Sequence, residues 1–288
     1  MTGPRVIESP SELAAWRDSL NRPLHLVPTM GNLHAGHLAL VEHARAGGAA
    51  VAVSIFVNPT QFGPNEDFER YPRTLDADCA ALAESGGCDI VWLPSVATMY
   101  PLPESQRFSI TPPPALADTL CGRARPGHFD GVCSVVMRLF WQLRPRRAFF
   151  GEKDYQQLLI LRRMAEDFSL PLSLEAVATV REPDGLAMSS RNAYLDAEQR
   201  RRAPALYRTL CQLAEEAVDV SDAGTFAELE RSGWMTLEAA GFVPDYVVIR
   251  DAGSLGPPGA GPLRLLAAAQ LGPARLIDNV AITRQNPK

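Results

Sequence analysis

Residues 24–57, LHLVPTMGNLHAGHLALVEHARAGGAAVAVSIFV, decide the fold. Leu24 to Thr29 is a short apolar run that leads to a glycine at Gly31, and a helical pattern follows from Gly36 to Arg45. Ala49 to Val57 is almost uniformly apolar and rich in β-branched residues, which predicts a strand buried on both faces. A polar loop, Asn58 to Arg73, then leads to a helix near Thr74–Ser85 that closes at Gly86-Gly87, and Asp89 to Leu93 reads as a further strand. Strand–helix–strand–helix–strand over the first hundred residues is the pattern of a parallel sheet with crossovers.

The pattern continues to about residue 181. After a Pro-rich excursion, Pro101 to Pro114, a helix over Phe129–Leu143 carries Phe129, Val132, Val136, Leu139, Phe140 and Leu143 on one stripe. Arg147 to Phe150 is a short strand ending at Gly151, the next helix turns Leu158, Leu161, Ala165 and Phe168 inward, and Leu172 to Val180 is a strand. Beyond that the texture changes. Asp196 to Val218, interrupted at Pro204, and Ala223 to Ala240 read as helices, and Pro244–Arg250, Leu263–Ala269 and Ala274–Ile282 as strands. The expectation is an α/β parallel-sheet domain over 1–181 and a smaller α+β domain over 182–288.

The 288 residues are 46% apolar and 21% charged, which excludes disorder and fibrous repeats. A net charge of −5 and a pI near 5.6 leave no basic field for nucleic acid. No apolar run approaches a bilayer span, Met1 to Pro10 lacks a signal-like pattern, and the chain reads as cytoplasmic, with no membrane or nucleic-acid partner. Five scattered cysteines (Cys79, Cys88, Cys121, Cys133, Cys211) suggest neither a disulfide framework nor a zinc site, but buried reduced thiols. Among the 28 basic residues only two are lysines, Lys153 and the terminal Lys288. Genomic bias with a chance survivor would explain this; so would a site that needs lysine.

Pro28-Thr29-Met30-Gly31-Asn32-Leu33-His34-Ala35-Gly36-His37 lies at the carboxyl end of the first strand and opens a helix, where open α/β sheets bind ligands. Backbone N–H groups and the helix dipole favour phosphate there. The two histidines, expected on one helical face, suit that role; metal ligation lacks further ligands, and a structural role is the plainer alternative. His25 and His43 have no such context and read as structural. The string resembles the HxGH signature of adenylate-forming nucleotidyltransferases and class I aminoacyl-tRNA synthetases.

Phe149-Phe150-Gly151-Glu152-Lys153-Asp154-Tyr155-Gln156-Gln157 is a second strand-to-helix turn, in which Lys153 can act as a compact point charge on a nucleotide. A merely solvated cation would in this chain be an arginine. Gly185-Leu186-Ala187-Met188-Ser189-Ser190-Arg191-Asn192 offers hydroxyls and a cation for β- and γ-phosphates, and Met-Ser-Ser-Arg resembles the KMSKS loop that partners HxGH. In Val57-Asn58-Pro59-Thr60-Gln61-Phe62-Gly63, Gln61 can both donate to and accept from a small hydroxylated acid. Arg123-Ala124-Arg125-Pro126-Gly127-His128-Phe129 is either a substrate lid or structural.

Together PTMGNLHAGH, FVNPTQF, YPRT, RPGHFDGV, FFGEKDYQQL, GLAMSSRNAYL, PDYVVIRD and RLIDN, in this order, resemble the pantothenate synthetase (pantoate–β-alanine ligase) family over nearly the whole chain. The resemblance implies a Rossmann-like amino domain, a smaller carboxyl domain that closes over it, and a homodimer. It implies ligation of pantoate and β-alanine at the expense of ATP with Mg²⁺, through a pantoyl adenylate. By position, Met30–His37 would hold ATP, with His37 as proton donor; Gly151 to Asp154, Val180 and Met188 to Arg191 would line the same site. Gln61 and Gln157 would grip pantoate, Gln61 also near β-alanine. Some relatives carry several acidic or amide residues after YPRT as a proposed Mg²⁺ site; here only Asp78 is a candidate ligand, so Mg²⁺ is expected mainly on ATP phosphates and water.

The chemistry fits the residues independently of the family. A carboxylate attacking ATP meets phosphate charge, and fixed donors that strengthen as charge builds accelerate that step. His34, His37, Lys153, Ser189, Ser190 and Arg191 supply such donors. Two other readings are a nucleotidylyltransferase that stops after AMP transfer and a nucleotide sensor that keeps the fold without the chemistry.

Overall fold

The computed structural model describes residues 3–63 and 68–283; part of the loop read over Asn58–Arg73, and Lys288, fall outside them. By contacts the described chain forms two compact units. One holds Met1–Pro113, Arg125–Glu152 and Gln157–Ala178; the other holds Pro114–Ala124, Lys153–Gln156 and Thr179–Lys288. Of the stretch 1–181, residues 114–124, 153–156 and 179–181 group by contacts with the second unit.

The first unit contains six parallel strands: β1 (Arg5–Ile7), β2 (Leu24–Thr29), β3 (Ala50–Ile55), β4 (Ile90–Trp92), β5 (Arg147–Gly151) and β6 (Ser173–Val177). Their order is β1-β4-β3-β2-β5-β6, a Rossmann-like arrangement. From β2 the chain first builds toward β3 and β4, then returns to build β5 and β6 on the other side. The order reverses between β2 and β5, so the crevice at their carboxyl ends is the switch point where such sheets bind ligands. Sequence patterning missed β1 and the following helix, Pro10–Asp18. Three residues with only Ile7 buried carry no periodicity, and β1 exists through its pairing with β4.

Every residue of β3 is buried, which explains its unbroken apolar run. Val27, Val51, Val53 and Val91 from the sheet pack with Leu40 and Val41 of the Ala35–Arg45 helix and Leu82 of the Leu75–Ser85 helix. Truncating a side chain such as Leu82 would cost about 2–5 kcal/mol. The Leu75–Ser85 helix stops where Gly86 takes φ 62°. The stripe expected on the His128–Leu143 helix is buried at all six positions. Phe168 departs from expectation. It follows the end of the Tyr155–Asp167 helix, before Ser169 takes φ 48°, and is 53% exposed.

The second unit has three antiparallel strands in order, β7 (Val243–Asp251), β8 (Leu263–Leu271) and β9 (Ala274–Ile282). Its helices are Ala197–Arg202, Ala205–Glu216 and Ala223–Ala239, with the interruption at Pro204 as read from sequence. Leu206, Leu210, Leu213, Phe226 and Leu237 pack on Val247, Ile249, Leu265 and Leu276. Leu271 pairs with Ala274 across a two-residue turn, and Gly272 at φ 56° supplies the left-handed residue that such a turn requires. No helix among the described residues is long and apolar enough to cross a membrane. All five cysteines are free; Cys133 is fully buried and the other four only partly so, where five buried thiols were expected.

Candidate active site

At the end of β2 the chain reverses through two left-handed residues, Gly31 (φ 80°) and Asn32 (φ 51°). Thr29 starts the turn: its Oγ1 donates to the Ser54 carbonyl at 2.7 Å and accepts the Gly31 N–H at 3.2 Å. A Cβ at position 31 would lie 3.1 Å from both Asp78 Oδ2 and Ile55 Cγ2, so space as well as φ selects glycine. The Asn32 N–H donates to Asp78 Oδ2 at 3.0 Å and the Leu33 N–H to Oδ1 at 2.8 Å; Thr74 Oγ1 adds a third bond at 3.2 Å.

These bonds show what Asp78, the candidate metal ligand of the sequence, does in the fold. Asp78 is only 3% exposed, and both its oxygens hold the turn that precedes the histidines. Among the described residues no group of three or more His, Cys, Asp or Glu could hold a metal.

The histidines are not on one helical face. His34 is the extended N-cap of the Ala35–Arg45 helix (φ −130°, ψ 175°), and His37 sits three residues into it. They cap reciprocally. His34 Nδ1 accepts the Gly36 N–H at 3.1 Å, and His37 Nδ1 accepts the His34 N–H at 3.3 Å. The rings lie against each other, centroids 4.1 Å apart and planes tilted by 39°. With Nδ1 an acceptor in each ring, the proton of the neutral imidazole lies on Nε2. His25, by contrast, is buried and donates through Nδ1 to the Ala44 carbonyl at 2.6 Å.

Gln61 ends a single 3-10 turn, Pro59–Gln61, after β3. Its Nε2 lies 2.9 Å from Met30 Sδ, and its Oε1 accepts from Asn58 Nδ2 at 3.2 Å. Asn58, 1% exposed, also donates to the Gly131 carbonyl and accepts from Tyr100 Oη at 2.7 Å. Gly131 permits this contact, because a Cβ there would meet the Thr60 carbonyl oxygen at 2.3 Å. Arg125 donates to His128 Nε2 at 3.0 Å, which leaves the His128 proton on Nδ1, and that nitrogen donates to the Gln61 carbonyl at 2.8 Å. Arg125 Nη2 reaches the same carbonyl at 3.2 Å. The Arg-Pro-Gly-His string therefore braces the Gln61 turn. Gln157, also in the first unit, is half-buried, with no hydrogen-bond partner for its amide among the described residues.

The second unit carries Lys153, Asp154, Val180 and Met188–Arg191; Gly151 and Glu152 belong to the first. Lys153 sits in the turn Glu152–Asp154, its side chain 19% exposed and its Nζ 4.0 Å from Asp154 Oδ2. Its carbonyl accepts from Asn279 Nδ2 at 2.9 Å. Gln156, 5% exposed, accepts the Cys121 N–H at 3.0 Å and donates to the carbonyls of Leu116 and Thr119, each at 2.8 Å. That amide ties segment 153–156 to segment 114–124.

Met188–Arg191 leaves a small hairpin, with a bridge between Arg181 and Ala187 and the Met188 N–H donating to the Val180 carbonyl at 3.0 Å. Ser189 caps the next turn, its Oγ accepting the Arg191 N–H at 3.2 Å. Arg181 anchors the hairpin. It forms a two-pronged pair with Asp278 at 2.6 and 3.0 Å, donates to the Gly185 carbonyl, and stacks 3.5 Å from the centre of the Tyr207 ring. Arg200 binds both Glu182 and Asp184, and its guanidinium holds the Asp184 carboxyl below its ordinary range. Asn58, Gln156, Arg181, Asp278 and Asn279 were not singled out from sequence. An Asp-Asn pair inside the apolar run of β9 was the available signal, since buried polar groups in a strand need partners.

A family model described as Pantoate-beta-alanine ligase matches residues 5–281. The pantothenate synthetase of Thiobacillus denitrificans is 51% identical over 281 residues, 97% of each chain. That of Azotobacter vinelandii is 52% identical over 261 residues, 89% of this chain and 90% of its own. Among solved structures, pantothenate synthetase from Thermus thermophilus superposes with a TM-score of 0.87 at 45% identity, over 96% of this chain and 99% of that one. The Francisella tularensis pantoate-beta-alanine ligase, solved with beta-gamma ATP and β-alanine, gives 0.80 at 32% identity, over 97% and 98%.

Proposed function

The chain belongs to the pantoate-beta-alanine ligase family, and from that premise we propose how its own residues divide the work. The reaction is the ATP-dependent ligation of pantoate and β-alanine to pantothenate through an adenylate. Pantoate's carboxylate oxygen forms a bond to the α-phosphorus of ATP as the bond to pyrophosphate breaks. The β-alanine amine then bonds to the acyl carbon, AMP leaves with the bridging oxygen, and the amine gives up a proton.

His34 and His37 meet the charge that builds on the α-phosphoryl oxygens by hydrogen bonds from Nε2–H; for His37, expected as proton donor, this is donation of a hydrogen bond, since a neutral ring keeps its one proton, and the observation that carries this is their reciprocal cap, which commits both Nδ1 atoms. The remainder of Met30–His37, with Gly151, Glu152, Asp154, Val180 and Met188, lines the nucleotide. Lys153, Ser189, Ser190 and Arg191 neutralise the triphosphate and then the departing pyrophosphate. Gln61 and Gln157 bind pantoate, whose hydroxyls require groups able to both donate and accept. Mg²⁺ enters with ATP, on phosphate oxygens and water, in keeping with the buried and committed state of Asp78. The working form is a homodimer, and five unpaired cysteines favour the reducing cytoplasm.

The test is exchange of labelled pyrophosphate into ATP with pantoate present and β-alanine omitted. Exchange is expected at a rate comparable to turnover. Full overall activity without exchange would remove the adenylate.

A further inference from the structure

Lys153 is proposed above to meet phosphate charge, yet its own turn supplies little to hold it. Its Nζ has a 4.0 Å approach to Asp154, and the turn that carries it spans three residues. What fixes its main chain comes from the far end of the sequence. Asn279 on β9, 3% exposed, donates through Nδ2 to the Lys153 carbonyl at 2.9 Å, while its Oδ1 accepts from Arg264 Nε at 2.6 Å. Arg264, on β8, lies 4.1 Å from the centre of the Tyr155 ring, and Tyr155 Oη donates to the Ala252 carbonyl at 2.9 Å. The residues on either side of Asp154 are therefore both bound to the three-stranded sheet.

The neighbouring residue of β9 serves the other phosphate-handling segment. Asp278 Oδ1 accepts the Asn279 N–H at 2.8 Å, and Asp278 grips Arg181 at the base of the hairpin that leads to Met188–Arg191. Successive residues of a strand point to opposite faces, so one dipeptide can reach two segments.

We infer that Asn279 is a positioning residue for adenylation: its amide, oriented by Arg264, sets the Lys153 main chain so that the ammonium group meets the triphosphate in register with the Arg181-anchored loop. The amide is required as such. A carboxylate could still accept from Arg264 but would turn an acceptor toward the Lys153 carbonyl, where only a donor fits.

The inference rests on the proposed role of Lys153, so the experiment is a cycle of Lys153→Ala, Asn279→Asp and the double variant in the intact protein. It is read as single-turnover adenylation, with half-saturation for pantoate and thermal melting measured alongside. Asn279→Asp is expected to slow adenylation about 10- to 100-fold, since small displacements of a charge-stabilising group cost that much, with pantoate half-saturation unchanged. The double variant is expected to be no slower than Lys153→Ala alone. A double variant slower by the full product of the two single effects would make Asn279 merely structural. Normal adenylation in Asn279→Asp beside a slow Lys153→Ala would overturn the positioning role alone; normal adenylation in Lys153→Ala would overturn the reading beneath it. If the carboxylate variant does not fold, Asn279→Ser carries the same cycle with the same outcomes.

Discussion

His128 donates through Nδ1 to the main-chain carbonyl of Gln61 at 2.8 Å, linking residues 67 positions apart. Arg125, bonded to the other ring nitrogen and to the same carbonyl, fixes the tautomer that makes this possible. The Arg125–His128 segment, a lid or a structural element by sequence, thus holds the backbone from which the Gln61 amide projects.

The consequence is measurable in substrate use. His128→Ala is expected to raise the half-saturation concentration for pantoate about tenfold, equivalent to about 1.4 kcal/mol for one buried hydrogen bond, and to leave that for ATP near its starting value. Gln61→Ala is expected to do the same more strongly. Steady-state kinetics in each substrate separate the two effects. An equal rise for both substrates in His128→Ala would make it a general packing residue.

The sheet was legible because its strands are short apolar runs at the right spacing, each ending at a glycine or a polar loop. β1 was not, since three residues cannot display a period. The candidate site could be read only where it lies in one contiguous string, as in Met30–His37 and Met188–Arg191. It was illegible where a residue acts across the chain. Asn279 and Lys153 are 126 positions apart, and Asp78 meets Leu33 from 45 positions away. By sequence Asp78 is available to a cation; in the fold it already holds two backbone N–H groups.

Asp78→Asn isolates that assignment. One carboxylate oxygen becomes an NH₂ facing a backbone N–H, which loses a charge-assisted bond and opposes two donors. A loss of about 2 kcal/mol is expected, a fall in melting temperature of about 4–8 °C, together with weaker use of ATP. The Mg²⁺ concentration needed for half-maximal rate at saturating ATP should not change. A selective rise in that concentration, with stability intact, would make Asp78 a metal ligand.

Two thiols give a pH test. Burial pushes Cys88 and Cys133 from the ordinary 9.0 up to about 12, with Asp89 adding to the first shift and Asp130 to the second. At pH 8 the thiolate fraction is then about 10⁻⁴, so both should resist iodoacetamide in the native protein and react on unfolding. The linkage has one sign. Between about pH 9 and 12 the unfolded chain releases these protons and the folded chain retains them, so stability falls as pH rises through that window. Peptide mapping after labelling and melts from pH 8 to 11 check both parts; rapid native labelling of Cys133 would contradict its burial.

Lys153→Arg asks why the described chain contains one lysine and otherwise uses arginine. If Lys153 were a generic surface cation, the substitution would be silent, since 26 other positions already carry Arg. In the structure its side chain is largely covered, and its carbonyl is pinned by Asn279, so the reach available to the head group is set by the backbone. A planar guanidinium on a longer stem cannot put its charge where the ammonium was. Losing a preorganised electrostatic contact costs about 10²–10³ in turnover. Single-turnover adenylation in Lys153→Arg should therefore fall by that order, while the melting temperature stays within a few degrees, because the Asn279 bond is to the main chain and survives the change. A first step as fast as in the unaltered protein would return Lys153 to the solvated surface.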